Sequence, residues 1–471
     1  MKQGDVLDIR VDSVGFEGIS IGRHDGVVVF IPGALPNELV RVKLRKKKKK
    51  YFESELLEII EPSHHRVQPR CEYFGECGGC KWQQFEYAEQ VAWKQKHVQD
   101  AFERLGKVLY GTLRTIIQSP AEFHYRNKME FSFSARRWLT KKELQSGEEA
   151  TQKHFALGLH VPGRFDGVLD IHECHIQHKL GNSILDKVRA KALELNISCY
   201  HDREQVGFLR HLVLRTTLAT QQTMVILITN TVSVDQQKQF VHWFTTEFPK
   251  EVPEVTTVIH AIKDTLSPVA VGEIQTTVGN EFITEQSYGI NFRISPFSFF
   301  QTNSHQLTNF LQATFDAALF GNNDVVWDLY CGTGSITLPL SQFAKKVIGI
   351  ELVESSIQDA KANATFNNIN NVDFYCADLH KPSTIDFLHT LPKPDIIVVD
   401  PPRAGIHEQT LRTILEIAPS QLVYVSCNPT TQARDCAILN EKYDVQYLQP
   451  LDMFPHTFHV ENVARLVLRN T

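Results

Sequence analysis

Val325-Val326-Trp327-Asp328-Leu329-Tyr330-Cys331-Gly332-Thr333-Gly334-Ser335 is the stretch that decides the fold. An apolar, β-prone run closes on an acid, turns through two glycines and opens a helix at Ile336. Glycine is needed in such a turn because the backbone must bend tightly and approach a ligand without a Cβ in the way. A Gly-x-Gly alone is a weak signal, but the downstream rhythm strengthens it. Strand-like segments at Lys346–Ile350, Val372–Tyr375, Asp395–Val399 and Gln421–Val425 recur every 20 to 26 residues, with helical segments between most of them. Such a series of βα units predicts a parallel, doubly wound sheet from about residue 291. Glu351 ends the second strand 19 residues after Gly332, where a ribose-binding acid belongs. Asp378 follows the third strand and Asp400 ends the fourth. Acids at successive strand ends, with no third glycine, favour S-adenosylmethionine over a dinucleotide.

The fifth strand runs into Ser426-Cys427-Asn428-Pro429. A cysteine alone after an apolar strand is usually a buried structural thiol. Here the Asn-Pro turn holds it at the carboxyl edge of the sheet, where open α/β folds bind ligands, so Cys427 is a candidate nucleophile beside a methyl donor. Glu461, in His459-Val460-Glu461-Asn462, is a candidate base, although its spacing alone carries little weight.

The 471 residues are too many for one core, and 42% hydrophobic with 22% charged residues is an ordinary globular composition. No apolar run is long enough to span a bilayer and Met1–Asp5 lacks the apolar core of a signal peptide, so a cytoplasmic protein is expected. The formal charge of -5 is unevenly spread, for eight of the ten residues from Arg41 to Lys50 are basic. Residues 1–61 alternate β-type segments with glycine turns, as in a small closed barrel. The basic run would sit on a loop or strand end of that barrel and contact a nucleic-acid backbone.

Residues 62–290 read as a central α+β domain. It has a helix over 84–105, strands at Lys128–Ala135, Phe155–His160, Leu209–Thr217, Met224–Thr229 and Thr257–Ile262, and a helix near 184–195. It opens with Cys71, Cys77 and Cys80, whose Gly78-Gly79 lets several thiols face one centre. Three thiolates are one short of the usual four, and Cys174, between Glu173 and His175, is the expected fourth. Spacing leaves zinc, an iron–sulfur cluster and free thiols all open. His172 and His175 read as exposed loop residues. Arg126 and Lys128 are candidates for phosphate contact beside Met129, Phe131 and Phe133, which read as core. Phe297, Phe299 and Phe300 are divided between packing and stacking on a base.

Taken together, Asp328–Ser335, Asp400-Pro401-Pro402-Arg403, Ser426–Pro429 and His459–Asn462 resemble the motifs of the RNA uracil-5-methyltransferase family. The first 61 residues resemble that family's TRAM domain. The resemblance implies a Rossmann-like methyltransferase domain over 291–471, Cys427 as nucleophile and Glu461 as proton acceptor. It also implies S-adenosylmethionine contacts from Gln301, Tyr330, Ser335, Glu351, Asp378 and Asp400, and a [4Fe-4S] cluster on Cys71, Cys77, Cys80 and Cys174. Tyr330 and Ser335 depart from the commonest family residues, which makes the Ser335 contact the weakest of the set. The implied activity is methylation of uridine carbon 5 in RNA by a monomer. The barrel and cluster point to 23S ribosomal RNA, with tRNA as the alternative substrate and a non-catalytic iron–sulfur RNA-binding protein as the alternative of another class.

Overall fold

The computed structural model describes residues 1–146, 153–321 and 323–469. Strands Val6–Val14, Ser20–His24, Val27–Ile31, Leu39–Lys47 and Tyr51–Glu61 close into a barrel. Alternation along them puts Ile9, Val11, Val29, Val40, Val42 and Leu44 inside, all essentially without solvent exposure. The strand Ser20–His24, five residues between glycine turns, has too short an apolar pattern to be legible in sequence. The basic run forms the end of Leu39–Lys47 and the adjoining turn, as expected. Part of its charge is answered on the barrel itself: Arg41 pairs with Asp8 and Glu58, Arg45 with Glu55 and Lys48 with Glu53.

The central region is built on an eight-stranded sheet. Its order is Glu273–Gly279, Thr257–Ile262, Thr223–Thr229, Leu209–Thr216, Lys128–Ser134, Ala156–His160, Val168–Asp170, Arg137–Trp138. Every residue of Thr223–Thr229 is buried, so its sequence reads as a continuous apolar run rather than an alternation.

The C-terminal sheet has the order Val372–Cys376, Lys346–Glu351, Val325–Leu329, Ile396–Val399, Gln421–Ser426, Glu461–Leu468, Tyr443–Leu451, Tyr110–Leu113. The first five strands are parallel, and Glu461–Leu468 enters antiparallel between Gln421–Ser426 and Tyr443–Leu451. Two features cross the expected boundaries. Tyr110–Leu113 pairs in this sheet rather than the central one, covering the outer edge of Tyr443–Leu451. The expected helix over 84–105 is an α-helix at Tyr87–Asp100 continued by a π-turn at Ala101–Gly106. Its Val91, Val98 and Phe102 share a core with Leu329, Ile350 and Leu448 of the C-terminal sheet. Among the described residues no helix is long and apolar enough to cross a membrane.

Candidate active site

The glycine turn continues its strand with Tyr330 (φ 66°), Gly332 (φ 54°) and Gly334 (φ 85°) in the left-handed region. For Tyr330 this conformation is costly, and it is held by the Tyr330 and Cys331 amides donating to the Ile350 carbonyl at 2.9 and 3.1 Å. Below the turn the Thr337 hydroxyl donates to Asp328 Oδ2 at 2.6 Å. Burial, and the nearby Asp400 and Glu351, push Asp328 up to about 7.

Glu351 is fixed in the crevice. Its Oε1 accepts from the Leu352 and Val353 amides at 2.8 and 3.0 Å, and its Oε2 accepts from Gly332 N at 3.2 Å. Asp378 Oδ1 accepts from His380 N at 3.0 Å at the next strand end. Asp400 stands beside the turn, its amide 3.4 Å from the Leu329 carbonyl, and desolvation pushes its carboxyl up to about 7. Gln301 is buried in the segment leading to helix Ser304–Asp316, and the neighbouring Phe299 carbonyl accepts from the Thr333 hydroxyl at 3.3 Å. Ser335 is half-buried in the turn. The expected cofactor residues thus gather at adjacent strand ends around the glycine turn. The phenylalanines divide: Phe300 is 3% exposed and in the core, whereas Phe299 is 60% exposed.

Cys427 lies one residue beyond Gln421–Ser426. Asn428 caps the helix Pro429–Leu439 by accepting from Thr430 N at 3.1 Å, with Pro429 pre-set for the first turn. This abrupt strand-to-helix change leaves the thiol at the sheet edge, half-buried, on the wall of a cleft of about 620 Å3. Ser426 pairs with Asn462 across the sheet, so Cys427 and Glu461 come next on facing strands at the same level. Gln432 ties the two strands together: its amide nitrogen donates to the Tyr424 and Asn462 carbonyls at 2.8 and 3.1 Å, and its Oε1 accepts from Asn462 Nδ2 at 2.7 Å.

Burial and the charge of Asp400 push Glu461 up to about 8, against the pull of Arg403. Burial, then the Glu461 charge, push the Cys427 thiol up to about 12, again opposed by Arg403. In this state the site holds its protons. A cation entering among these acids would favour their ionised forms and would bring the thiol down as well.

Arg403 and His459 belong to the same motifs, but motif spacing assigns neither of them a role. Arg403 lines the cleft with Cys427 and donates to His459 Nε2 at 3.2 Å. Its carbonyl accepts from Asn428 Nδ2 at 3.1 Å, tying the Pro-Pro-Arg loop to the turn that bears the thiol. His459, its pKa lowered to about 4 by burial and Arg403, remains a neutral acceptor. The barrel residues Phe16, Glu17 and Ile19 also line this cleft, with Lys81 from the cysteine loop, and no sequence pattern marked them.

Cys71, Cys77, Cys80 and Cys174 line one cavity with Tyr73, Phe74, Leu159, Ile171 and Ile176, so Cys174 does join the other three. Burial pushes Cys71 up to about 12, Cys77 to about 11 and Cys80 to about 12, and neighbouring thiols add to each. Backbone amides are nevertheless directed at sulfur: Gly79 N at 3.4 Å from Cys77 Sγ, with Tyr73 serving Cys71 and Ile176 and Gln177 serving Cys174. Amides so directed favour thiolates, which a cationic inorganic group would require. Among the described residues no three His, Cys, Asp or Glu side chains are drawn together as a single metal ion needs. His172 is exposed as expected, whereas His175 is 8% exposed, buried against the same cavity. Met129, Phe131 and Phe133 are core, and Lys128 pairs with Glu130 at 2.8 Å.

Residues 1–57 match the TRAM domain model, and residues 273–381 and 384–469 match the tRNA (uracil-5-)-methyltransferase model. An RNA methyltransferase of Bacteroides thetaiotaomicron is 40% identical over 460 residues, covering 96% of this chain and 99% of that protein. One from Porphyromonas gingivalis is 38% identical over 478 residues, covering 98% and 100%. The crystal structure of Pyrococcus abyssi tRNA (uracil-54, C5)-methyltransferase with S-adenosyl-L-homocysteine superposes with a TM-score of 0.75 at 26% identity, over 98% of this chain and all of that one. Matching models at both ends of the chain, and end-to-end relatives, make this protein an RNA methyltransferase of the S-adenosylmethionine-dependent uracil-5-methyltransferase family, with an N-terminal TRAM domain.

Proposed function

We propose that the enzyme methylates carbon 5 of a uridine in RNA through a covalent bond between Cys427 and carbon 6. The observation that carries this reading is that Cys427 and Arg403 wall one cleft while the buried Glu461 and Asp400 stand close enough to act on the charge of the thiol. Carbon 5 of uracil is a poor nucleophile. Addition of the Cys427 thiolate to carbon 6 pushes the ring electrons toward an enolate, and carbon 5 then becomes able to take a methyl group. S-adenosylmethionine, bound along Gln301, Tyr330, Ser335, Glu351, Asp378 and Asp400, supplies the methyl carbon and a sulfonium charge. Glu461 removes the carbon 5 proton, the electron pair left behind re-forms the ring double bond, and the Cys427 sulfur leaves carbon 6 as thiolate. Arg403 opposes the rise of both pKa values and so favours the ionised thiol and carboxylate. The base must leave its stack to reach the thiol.

The four-cysteine cavity is read as the seat of a [4Fe-4S] cluster. Four thiols on one cavity, three of them with backbone amides aimed at sulfur, support a thiolate-held group there. Its role is structural. The barrel together with this cysteine loop supports 23S ribosomal RNA as the substrate of a monomeric enzyme. A tRNA uridine is the second reading, favoured by the end-to-end similarity to the archaeal tRNA enzyme.

The test is RNA carrying 5-fluorouridine, whose carbon 5 fluorine Glu461 cannot remove. With cofactor, the wild-type protein is expected to form a denaturation-resistant adduct and Cys427→Ala none. An adduct with Cys427→Ala overturns the assignment. Mass mapping of ribosomal and transfer RNA from a strain lacking the gene identifies the uridine.

A further inference from the structure

The cleft at Cys427 is wider than one base requires, and its far side belongs to the barrel. About 620 Å3 is in the range of pockets that take a whole drug-sized molecule, more than a single pyrimidine ring fills. It is lined by Cys427, Asn428, Pro429, Thr430 and Arg403, by Phe16, Glu17 and Ile19 of the barrel with His97 beside them, and by Lys81 of the cysteine loop. Resting on the reading of Cys427 above, we propose that this cleft holds two nucleotides. The target uridine sits at the thiol, and an adjoining nucleotide has its base on Phe16 of the barrel turn and its phosphate at Lys81.

The barrel side is built rigidly enough to serve as a subsite. Gly18, at φ 74°, is packed so closely that a Cβ there would lie 3.0 Å from Phe458 Cβ and 3.1 Å from Trp82 Nε1. The Trp82 indole donates to the Gly18 carbonyl at 3.3 Å. Phe16 rests on the His97 ring at 5.0 Å between centroids, and His97 Nε2 bonds the Val14 carbonyl at 3.0 Å. Phe16 is half-buried by this support and keeps part of its ring on the cleft.

Lys81 is held at the third wall. Its amide and that of Trp82 donate to the His456 carbonyl at 2.9 and 3.0 Å, which fixes its backbone against the loop that carries His459. Its side chain is exposed and pairs with no acid among the described residues. Cleft cations thus number two, Lys81 and Arg403, against one acid, Glu17. A half-supported aromatic ring beside an exposed cation is the arrangement that binds single-stranded nucleic acid by stacking and charge.

The experiment measures adduct formation with 5-fluorouridine oligonucleotides in which the nucleotide on either side of the target is intact or abasic. With wild-type protein, one of the two abasic oligonucleotides is expected to react about tenfold more weakly at subsaturating RNA. Phe16→Ala is expected to show that weakness on intact RNA and no further loss on the abasic one, with S-adenosylmethionine affinity unchanged. Lys81→Ala, a change at an exposed side chain, is expected to weaken RNA binding and flatten its salt dependence. Equal abasic losses in wild-type and Phe16→Ala protein overturn the subsite. Absence of any adduct in the wild type overturns the Cys427 chemistry instead.

Discussion

Replacing Glu461 by Gln separates the electrostatics of the site from its chemistry. The side chain is 6% exposed and its carboxyl is raised from 4.5 to about 8 by burial and by Asp400. At about 1.4 kcal/mol per pH unit, that displacement amounts to a ceiling of about 5 kcal/mol. Relaxation and water entry around the ionised carboxylate lower that ceiling, so about 2–4 kcal/mol is expected to appear as a difference between proteins.

The sign comes from proton counting. Between about 4.5 and 8 the folded protein holds the Glu461 proton while the unfolded chain has released it, so stability from this group is present at low pH and lost as pH rises through 8. Urea unfolding at pH 5 and pH 8.5 should therefore show Glu461→Gln gaining on the wild type at the higher pH by that amount. The buried histidines His97, His260, His456 and His459, all lowered to about 4, titrate alike in both proteins and cancel from the difference.

Catalytically, the same variant should lose about 10²- to 10⁴-fold in turnover and accumulate covalently bound, methylated RNA, because the carbon 5 proton has no acceptor. Equal pH slopes for the two proteins, or turnover within about tenfold of wild type, would refute the reasoning.

Cys77→Ser should abolish the broad visible absorbance expected of anaerobically purified protein, and elemental analysis finding zinc without iron would overturn the cluster. Lys94 and Asp452 form an ion pair of 2.6 Å with neither side chain exposed, at the base of the loop that leads to Glu461. Lys94→Met leaves Asp452 buried without its cation and should cost about 3–5 kcal/mol in urea unfolding, most of it recovered in Lys94→Met/Asp452→Leu. Lys49→Gln/Lys50→Gln at the barrel tip should weaken RNA binding and reduce the salt slope by about one to two, with turnover at saturating RNA unchanged; an unchanged slope would remove the tip from the RNA contact.

The sequence by itself determined what depends on neighbours along the chain. The five parallel strands fall within a residue or two of their expected ends, because a buried parallel strand is an apolar run bounded by a turn. The thiol's place at the sheet edge was legible for the same reason, since Asn428 and Pro429 can only end a strand and start a helix there. The acids expected to hold a cofactor could be placed from the sequence because each lies at or just beyond a strand end.

Only the tertiary structure decided what depends on closure. Tyr110–Leu113 joined the far sheet because Tyr443–Leu451 had an unpaired edge, and an edge leaves no mark in the sequence of the strand that covers it. Phe299 and Phe300 are adjacent and alike, and only packing put one on the surface and the other in the core. Phe16 and Lys81 lie hundreds of residues from Cys427 yet wall the same cleft. Their meeting is set by how barrel, cysteine loop and catalytic sheet dock, through non-local contacts that neither hydrophobic period nor turn chemistry encodes.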